Sequence, residues 1–448
     1  MKKNLTLYVM KNLRKLPFLL LMLIPVLLTG QKRWSLEECI KHAWDNNLLI
    51  KQQELSVEQS ENNLAQSRMN YVPTVNASFN HSMNWGRSVN LQDLEIVENK
   101  LSQSTSASAS AAINLFEGFT KKNDVKNKNI LYLASVQEVE RLKNDISVEI
   151  ARSYLQILLS KEILKSTEAG FKSIEEQLER AGKLAEAGSV AYSTVLEVEA
   201  QLASERFQVV NAANQLKSNL LNLSSLLDLQ EENLFDIEEV NVDKFIREFK
   251  GESVDELYKS SLSLPQIKGA ELNLESAGLQ LAIARGRMYP SLSFSAGYGS
   301  YYSDSRDQSF FDQFNENRNP SIGIGLSIPV FNNLRVKTTI KNAELAMKSA
   351  NYEVRSRQQI LYKEIQQANS DAMASYERLK ASESNVEATE ESFRYVQQKF
   401  DVGALSATDY TIARTNLLKA KSEYYQSKYQ FVFQLKILDF YRGIAISL

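Results

Sequence analysis

The sequence contains few of the residues that interrupt secondary structure or build reactive sites. Its 448 residues include 7 prolines and 16 glycines, so its helices and strands must be long. A single cysteine, Cys39, excludes an intrachain disulfide framework and a multi-cysteine metal site. Two histidines, His42 and His81, argue against a histidine-based catalytic or zinc centre. We therefore expect neither a metal nor a cofactor.

Charge of one sign and catalytic motifs are also missing. Lys plus Arg is 52 and Asp plus Glu is 54, a net charge of −2, whereas a nucleic-acid-binding protein usually carries a basic excess. The sequence has no HExxH, no GxxxxGK[ST] and no strand–serine–helix turn of the GxSxG type. These absences predict no nucleic-acid partner and no enzymatic activity.

Long apolar runs are confined to the start of the chain. A basic segment is followed by apolar residues 16–28 and then by Thr29 and Gly30, a pattern typical of a secretory signal over residues 1–30. No apolar run of 18 residues follows it. If the exported chain spans a membrane, it must do so with a closed β-barrel rather than with helices.

Four segments alternate between apolar and small polar residues, as strands with one apolar face do. The first is TVNASFNHSMNWG, and the predicted strands cover about 74–86, 103–116, 291–301 and 321–331. Polar loops are predicted at 87–102 and 303–319. Strands of about 11 residues with this period are typical of outer-membrane proteins. The predicted lipid-facing residues are Val75, Phe79, Trp85, Ile113, Leu115, Leu292, Phe294, Ile322, Ile324 and Leu326.

The rest of the chain favours helices, predicted at 36–70, 119–184, 190–229, 254–288, 334–400 and 405–441. The segments from 119 and 334 run for about 66 residues, or roughly 100 Å at 1.5 Å per residue. Helices of that length need lateral partners along their whole course. The acidic segment 231–253 breaks the helical pattern and is either a short mixed structure or a simple linker.

The sequence repeats itself. Gly188 aligns with Gly403 and Phe116 with Phe331, both at an offset of 215 positions (403 − 188, 331 − 116), and Pro73 aligns with Pro290 at 217 (290 − 73). Three segments in the same order indicate a duplicated helix–strand–strand–helix unit. The predicted organisation is a signal (1–30), a first repeat (31–230), a connecting segment (231–253) and a second repeat (254–448).

Four strands per chain are too few to close a barrel, and an open sheet edge is not tolerated in hydrocarbon. Two copies would give eight strands with a filled interior, and three would give twelve with room for water. The polar face consists mainly of Ser, Gly, Asn and Ala, which suits an open lumen. The strand count thus favours three or more copies without fixing the number.

The repeated segments AGSVAYSTVLEVEAQL and VGALSATDYTIARTNL, together with the signal and the duplicated unit, resemble the TolC family of outer-membrane efflux and secretion ducts. The resemblance implies a mixed α and β membrane protein, a homotrimer whose α-helical barrel continues into a 12-strand transmembrane β-barrel. It also implies outer-membrane lipid, a periplasmic adaptor (membrane fusion protein) and an inner-membrane RND or ABC transporter as partners.

In that family the two repeated segments form a gate at the periplasmic helix tips. The matching positions here are Gly188, Thr194, Glu197, Phe400, Gly403, Leu405, Asp409 and Ile412. Asp409 matches an acidic aperture residue, although a solvated Asp in a first helical turn is the alternative. Thr194 and Leu405 are uncharged where other members carry a basic–acidic latch. We therefore expect closure to rest on packing around Phe400, Leu405, Tyr410 and Ile412.

Two other classes of protein remain as alternatives. A periplasmic coiled-coil scaffold or adaptor without a pore would lack the four amphipathic strands. An outer-membrane enzyme with its own barrel would need at least eight strands in one chain and a catalytic cluster. Within the duct hypothesis, the sequence leaves open whether the cargo is a drug, a metal, a metabolite or a protein.

Overall fold

The computed structural model describes residues 33–89, 96–229 and 235–448, so the predicted signal lies outside the described residues. Within these ranges no helix is long and apolar enough to cross a bilayer. The helices are α1 (Leu36–Asn46), α2 (Leu48–Met69), α3 (Thr120–Glu186), α4 (Tyr192–Leu226), α5 (Val254–Ser261), α6 (Pro265–Gly286), α7 (Phe310–Glu316), α8 (Arg335–Asp401) and α9 (Ala407–Tyr441).

Two segments predicted as single helices are each divided. Asn47 lies between α1 and α2 in an extended conformation, and its side-chain oxygen accepts the Leu49 N–H at 2.9 Å, which caps α2. Pro265 is the first residue of α6, because a proline nitrogen has no hydrogen to donate and is tolerated in a first helical turn. Capping and proline chemistry thus overrode the continuous helical pattern.

The strands are β1 (Arg33–Trp34), β2 (Thr74–Val89), β3 (Ile96–Glu117), β4 (Asp236–Ile237), β5 (Ser291–Ser303) and β6 (Asn319–Ser327). The predicted loop at 87–102 was wrong, since β2 and β3 continue as a long hairpin through most of it. The predicted loop at 303–319 contains α7. The last strand ends at Ser327 rather than at 331, and Pro329, which cannot donate to a strand ladder, lies two residues later.

The large sheet joins the two repeats. Its strand order is β2-β3-β5-β6, entirely antiparallel, so β2 and β6 are its edges. Each of its strands adjoins a helix in sequence, and the helices pack in the matching order α2-α3-α6-α8. Farther from the sheet, α3 packs with α4 and α8 with α9, and α3 and α9 join these two hairpins.

The main apolar core lies midway along the long helices, where β1 pairs in parallel with β4. Tyr154 of α3 is fully buried there, and its hydroxyl donates to the carbonyls of Trp34 and Glu238 at 3.2 and 2.9 Å. Cys39 of α1 is buried in the same core, and burial raises the pKa of its thiol to about 12. That cysteine is therefore a neutral packing residue rather than a reactive one.

Candidate functional site

The two ends of the helical body carry the residues that the sequence singled out. At one end the helices pass into the four-stranded sheet, and at the other the hairpins α3–α4 and α8–α9 turn back. Among the described residues, no group of His, Cys, Asp and Glu side chains could hold a metal ion. The candidate sites are the sheet, the helix–sheet junctions and the helical tips.

The register of the sheet preserves the alternation of the sequence across all four strands. Val75 pairs with Ala111, Ala111 with Ala296 and Ala296 with Ile322, which makes one continuous apolar row. The adjacent row of the opposite face is formed by Asn76, Ser110, Gly297 and Ser321. The sheet therefore has one apolar face and one face of small polar residues, as side-chain alternation requires. Several apolar-face residues are strongly exposed within one chain: Val75, Phe79, Trp85, Ile322, Ile324 and Leu326.

Two predicted lipid-facing positions differ from that simple pattern. The register between β3 and β5 shifts between Asn114 and Phe116, so Phe116 rather than Leu115 lies opposite Leu292. A β-bulge of this kind adds one residue and breaks the alternation. Trp85 pairs with Leu101 in the part of the β2–β3 hairpin that extends beyond β5.

The junctions between β3 and α3 and between β6 and α8 have the same geometry in the two repeats. Gly118 and Phe119 precede α3 with φ of 57° and 65°, and Asn333 and Leu334 precede α8 with φ of 52° and 64°. The pairs are offset by 215 positions (333 − 118), as in the sequence repeat. Gly118 also lies against the backbone of Gly286, and a Cβ built on Gly286 would be 2.6 Å from the Gly118 oxygen. A Cβ on Gly118 would likewise overlap the backbone oxygen of Gly286, so the close approach of the two backbones requires glycine at both positions.

The helical tips are also duplicated. After α3, the Gly188 N–H donates to the Ala185 carbonyl at 2.9 Å and the Ser189 N–H to the Leu184 carbonyl at 2.8 Å. After α8, Gly403 and Ala404 donate to the corresponding carbonyls at 3.0 and 2.8 Å. The φ values of Gly188 and Gly403 are 71° and 73°. Both hairpins therefore end in the same left-handed glycine motif, which satisfies carbonyls at the helix end.

The helices that follow the tips begin differently. Ser406 caps α9, since its Oγ accepts the Asp409 N–H at 3.1 Å and donates to Asp409 Oδ2 at 2.6 Å. The residue before α4 at the matching position is Ala191, which makes no side-chain cap. Asp409 is exposed in the first turn of α9, where a carboxylate stabilises the helix dipole. In the first repeat Thr194 is half-buried and Glu197 is exposed.

An apolar cluster closes the space between the hairpins just behind the tips. Tyr410 of α9 is 2% exposed, and its ring centroid lies 4.7 Å from that of Phe400 and 5.3 Å from that of Phe393. Its hydroxyl oxygen accepts from Gln177 Nε2 of α3 at 2.6 Å. The predicted packing thus includes Phe400 and Tyr410. Ile412, by contrast, is 55% exposed within the chain, because it lies on another side of α9.

A buried ion pair lies one helical turn farther from the tip. Arg414 Nε of α9 donates to Glu205 Oε1 of α4 at 3.1 Å, and the two side chains are 7% and 5% exposed. Gln201 Nε2 donates to the same oxygen at 3.0 Å. Gly170 of α3 makes room for the guanidinium, since a Cβ there would overlap Arg414 Nη2. Nearer the tip, Arg180 and Asp401 form an exposed pair at 3.3 Å.

This ion pair was not predicted from the sequence, although the sequence contains a signal for it. Val198 and Leu202 precede Glu205 at helical spacing, and Tyr410 precedes Arg414 in the same way. Each charged residue thus interrupts an otherwise apolar stripe. A charge at such a position indicates a buried partner on another helix, but only the tertiary structure identifies the partner.

The family model described as outer membrane efflux protein matches residues 39–228 and 257–441. The two matched segments lie on either side of the connecting segment, and together they cover most of the chain.

Individual relatives and solved structures are distant in sequence. The chain is 22% identical to outer membrane protein TolC of Vibrio cholerae serotype O1, over 66% of this chain and 67% of that protein. It is 20% identical to outer membrane efflux protein BepC of Brucella suis biovar 1, over 95% of this chain and 89% of that protein. The Campylobacter jejuni CmeC outer membrane channel superposes with a TM-score of 0.76 at 16% identity, covering 92% of this chain and 86% of that chain.

Proposed function

Since the chain belongs to the outer membrane efflux protein family, we propose that three copies of it form one continuous duct through the outer membrane and the periplasm. The protein is an outer-membrane efflux channel, and the family is one of channels rather than of enzymes. The assembly, its gate and its partners are the proposal.

The two free edges of the sheet support assembly of several copies into a closed barrel. β2 and β6 each leave one row of backbone groups unpaired within a chain, and four antiparallel strands leave these edges running in opposite directions. The β6 edge of one copy can therefore pair antiparallel with the β2 edge of the next. Closure removes every free edge, as a membrane requires. Three copies give twelve strands.

The two faces of the sheet support a water-filled barrel. β5 has 13 residues and β6 has 9, close to the roughly 9–11 residues that a tilted strand needs to cross a bilayer. The exposed apolar face then contacts lipid, including the predicted residues Ile113, Leu292 and Phe294. The small polar side chains line the lumen, and their size leaves room for water.

The helical body continues the same wall. The helix order α2-α3-α6-α8 repeats the strand order, so closing the sheet also closes a cylinder of helices. The 67 residues of α3 and of α8 correspond to about 100 Å. In this proposal residues 31–230 and 254–448 are the two structural repeats, and 231–253 connects them.

The helical tips are the proposed periplasmic gate. Gly188 and Gly403 reverse the hairpins, and three copies of Asp409 around the axis would attract cations at the aperture. Leu405 and Ile412 remain available for contacts with the other copies or with a periplasmic adaptor that serves an RND or ABC pump. The chain itself has no nucleotide-binding motif, so the energy for transport comes from that pump.

The decisive experiment measures mass and conductance on the same sample. The mature chain purified in detergent should have the mass of three copies and should form ion channels in planar bilayers. A monomer that neither inserts into bilayers nor conducts would refute the duct and would favour a periplasmic scaffold.

A further inference from the structure

The helix–sheet junction carries a concentration of positive charge that the duct itself does not need. The first ten residues of α3, TKKNDVKNKN, contain four lysines and one aspartate. The first ten residues of α8, RVKTTIKNAE, contain three basic residues and one acidic residue. The whole chain, by contrast, has a net charge of −2.

These charges are repeated in the two halves at the duplication offsets. Lys122 and Lys126 correspond to Lys337 and Lys341 at 215 positions (337 − 122, 341 − 126), and all four are exposed. In the helices that lead into the strands, Arg68 corresponds to Arg285 at 217 positions (285 − 68), and both are exposed. We name this set the basic collar: Arg68, Lys122, Lys126, Arg285, Lys337 and Lys341.

Helix stability does not explain the four lysines of the collar, although Arg68 and Arg285 lie in last helical turns, where a basic side chain is favoured. Lysines near a helix start oppose the helix dipole, which favours acidic side chains there. Neither α3 nor α8 has an acidic residue in its first turn or a side-chain cap at its start. Within the described part of the chain, Arg285 is the one collar residue with an ion-pair partner, Glu344 at 3.0 Å. The other five charges are free to meet an external anion.

The collar lies on the outer side of the helices. Lys121 and Arg287 border a cavity of about 560 Å³ whose strand residues are mainly those of the polar sheet face, Thr74, Ala112 and Asn114, with Ile113 of the apolar face at its margin. At about 100° per residue, Arg285 is turned roughly 200° from Arg287, and Lys122 and Lys126 are turned roughly 100° and 140° from Lys121. Lys122, Lys126 and Arg285 therefore face away from this cavity, and the duplication offsets place Lys337, Lys341 and Arg68 at the matching positions of the other repeat.

The collar begins at the height of the polar layer of a membrane. Lys122 and Lys126 lie three and seven residues beyond Phe119, which is about 5 and 10 Å along the helix axis. The headgroup layer next to the hydrocarbon is about 5–8 Å thick on each side. The collar thus begins where the apolar face of the sheet ends.

We propose that the basic collar binds the anionic headgroups of phospholipids in the leaflet that faces the helices. The proposal rests on the proposed placement of the sheet across the membrane. Clustered Lys and Arg beside an apolar membrane surface are attracted to anionic lipid. The bound lipids would fix the depth of the duct and surround each junction with phosphate groups.

The test compares lipid association in reconstituted vesicles. Wild-type trimers in phosphatidylcholine vesicles are titrated with spin-labelled phosphatidylglycerol and, separately, with spin-labelled phosphatidylcholine, and electron spin resonance gives the relative association constants. The variant carries Lys122→Gln, Lys126→Gln, Lys337→Gln and Lys341→Gln. The matched control carries the same charge change at exposed lysines far from the junction: Lys172→Gln, Lys217→Gln, Lys363→Gln and Lys399→Gln.

The preference is the ratio of the association constants for phosphatidylglycerol and phosphatidylcholine. We expect this ratio to fall by about fivefold or more in the collar variant, since one lysine at an anionic surface already contributes about that factor. The control variant should keep the wild-type ratio. Raising the salt to about 1 M, where the Debye length is roughly 3 Å, should remove the wild-type preference. If the variant fails to assemble, this salt dependence decides alone.

Three outcomes would contradict lipid binding by the basic collar: an unchanged preference in the variant, a preference that resists salt, or no preference in a conducting wild-type trimer. A wild-type chain that does not insert into vesicles at all would overturn the proposed duct as well.

Discussion

Replacing Arg414 with Ala should loosen the contact between the two helical hairpins behind the proposed gate. The change leaves the Glu205 carboxylate without its cation at 5% side-chain exposure. At a charge separation near 4 Å and an effective dielectric constant of about 20, the attraction lost is about 4 kcal/mol. Removing one partner of a buried pair typically costs about 3–5 kcal/mol, much of it because the remaining charge stays buried.

The measurement is hydrogen exchange of the backbone amides in the peptides that cover residues 170–177 and 405–417. We expect Arg414→Ala to lower the free energy of local opening there by about 3–5 kcal/mol. The double replacement Glu205→Leu with Arg414→Leu should recover most of that loss, since two apolar side chains leave no buried charge. Vancomycin sensitivity and single-channel conductance should rise with the single variant and return toward wild type with the double.

The exposed pair at the same tip is the matched control. Arg180 and Asp401 are 61% and 35% exposed at 3.3 Å, so Arg180→Ala should cost less than about 1 kcal/mol. The reasoning would be refuted if the two single variants opened equally easily, or if the double replacement were as unstable as Arg414→Ala.

Four further predictions concern the junction, the tips and the body. Gly118→Ala should prevent assembly of the proposed trimer, measured as mass in detergent, because its Cβ would overlap a neighbouring backbone oxygen and its φ is 57°; a wild-type mass would contradict this. Ala191→Ser should raise the free energy of local opening at the start of α4 by about 1 kcal/mol, measured by hydrogen exchange, whereas Ser406→Ala should lower it at the start of α9 by a similar amount. Exchange equal to wild type in both variants would contradict the capping argument. Leu405→Glu should leave the trimer intact but raise vancomycin sensitivity and conductance, and wild-type values would exclude a gating role. Partial desolvation and the Asp145 carboxylate raise the pKa of Glu364, so folding favours its protonated form and stability falls as pH rises through that pKa. Glu364→Gln should flatten this dependence in melting curves between pH 4 and 8, and an unchanged curve would contradict it.

Much of the architecture could be predicted from local patterns. Alternation with period two identified all four long strands, and the scarcity of proline identified the long helices. The offset of 215 positions predicted that the second half would repeat the first, and the matching φ values of Gly188 and Gly403 show that repetition in the backbone. These features depend on residues that are close in sequence, so they can be predicted from one amino-acid sequence.

Other features depended on side chains from distant parts of the chain. The divided helix at Asn47 and the bulge beside Leu115 are local exceptions to a period that the sequence otherwise keeps. Pattern reasoning placed Ile412 in the packed tip, because it could not show which side of α9 the neighbouring hairpin covers.

The sequence by itself determined the kinds of elements, their order and their duplication, because hydrophobic period and chain-breaking residues act over one or two turns. The tertiary structure alone decided that β3 pairs with β5 across the two repeats and that Glu205 meets Arg414, 209 residues apart. It also decided that the matching lysines of both repeats lie beside the sheet. Such long-range contacts depend on how whole helices and strands pack, and no short stretch of sequence contains that information.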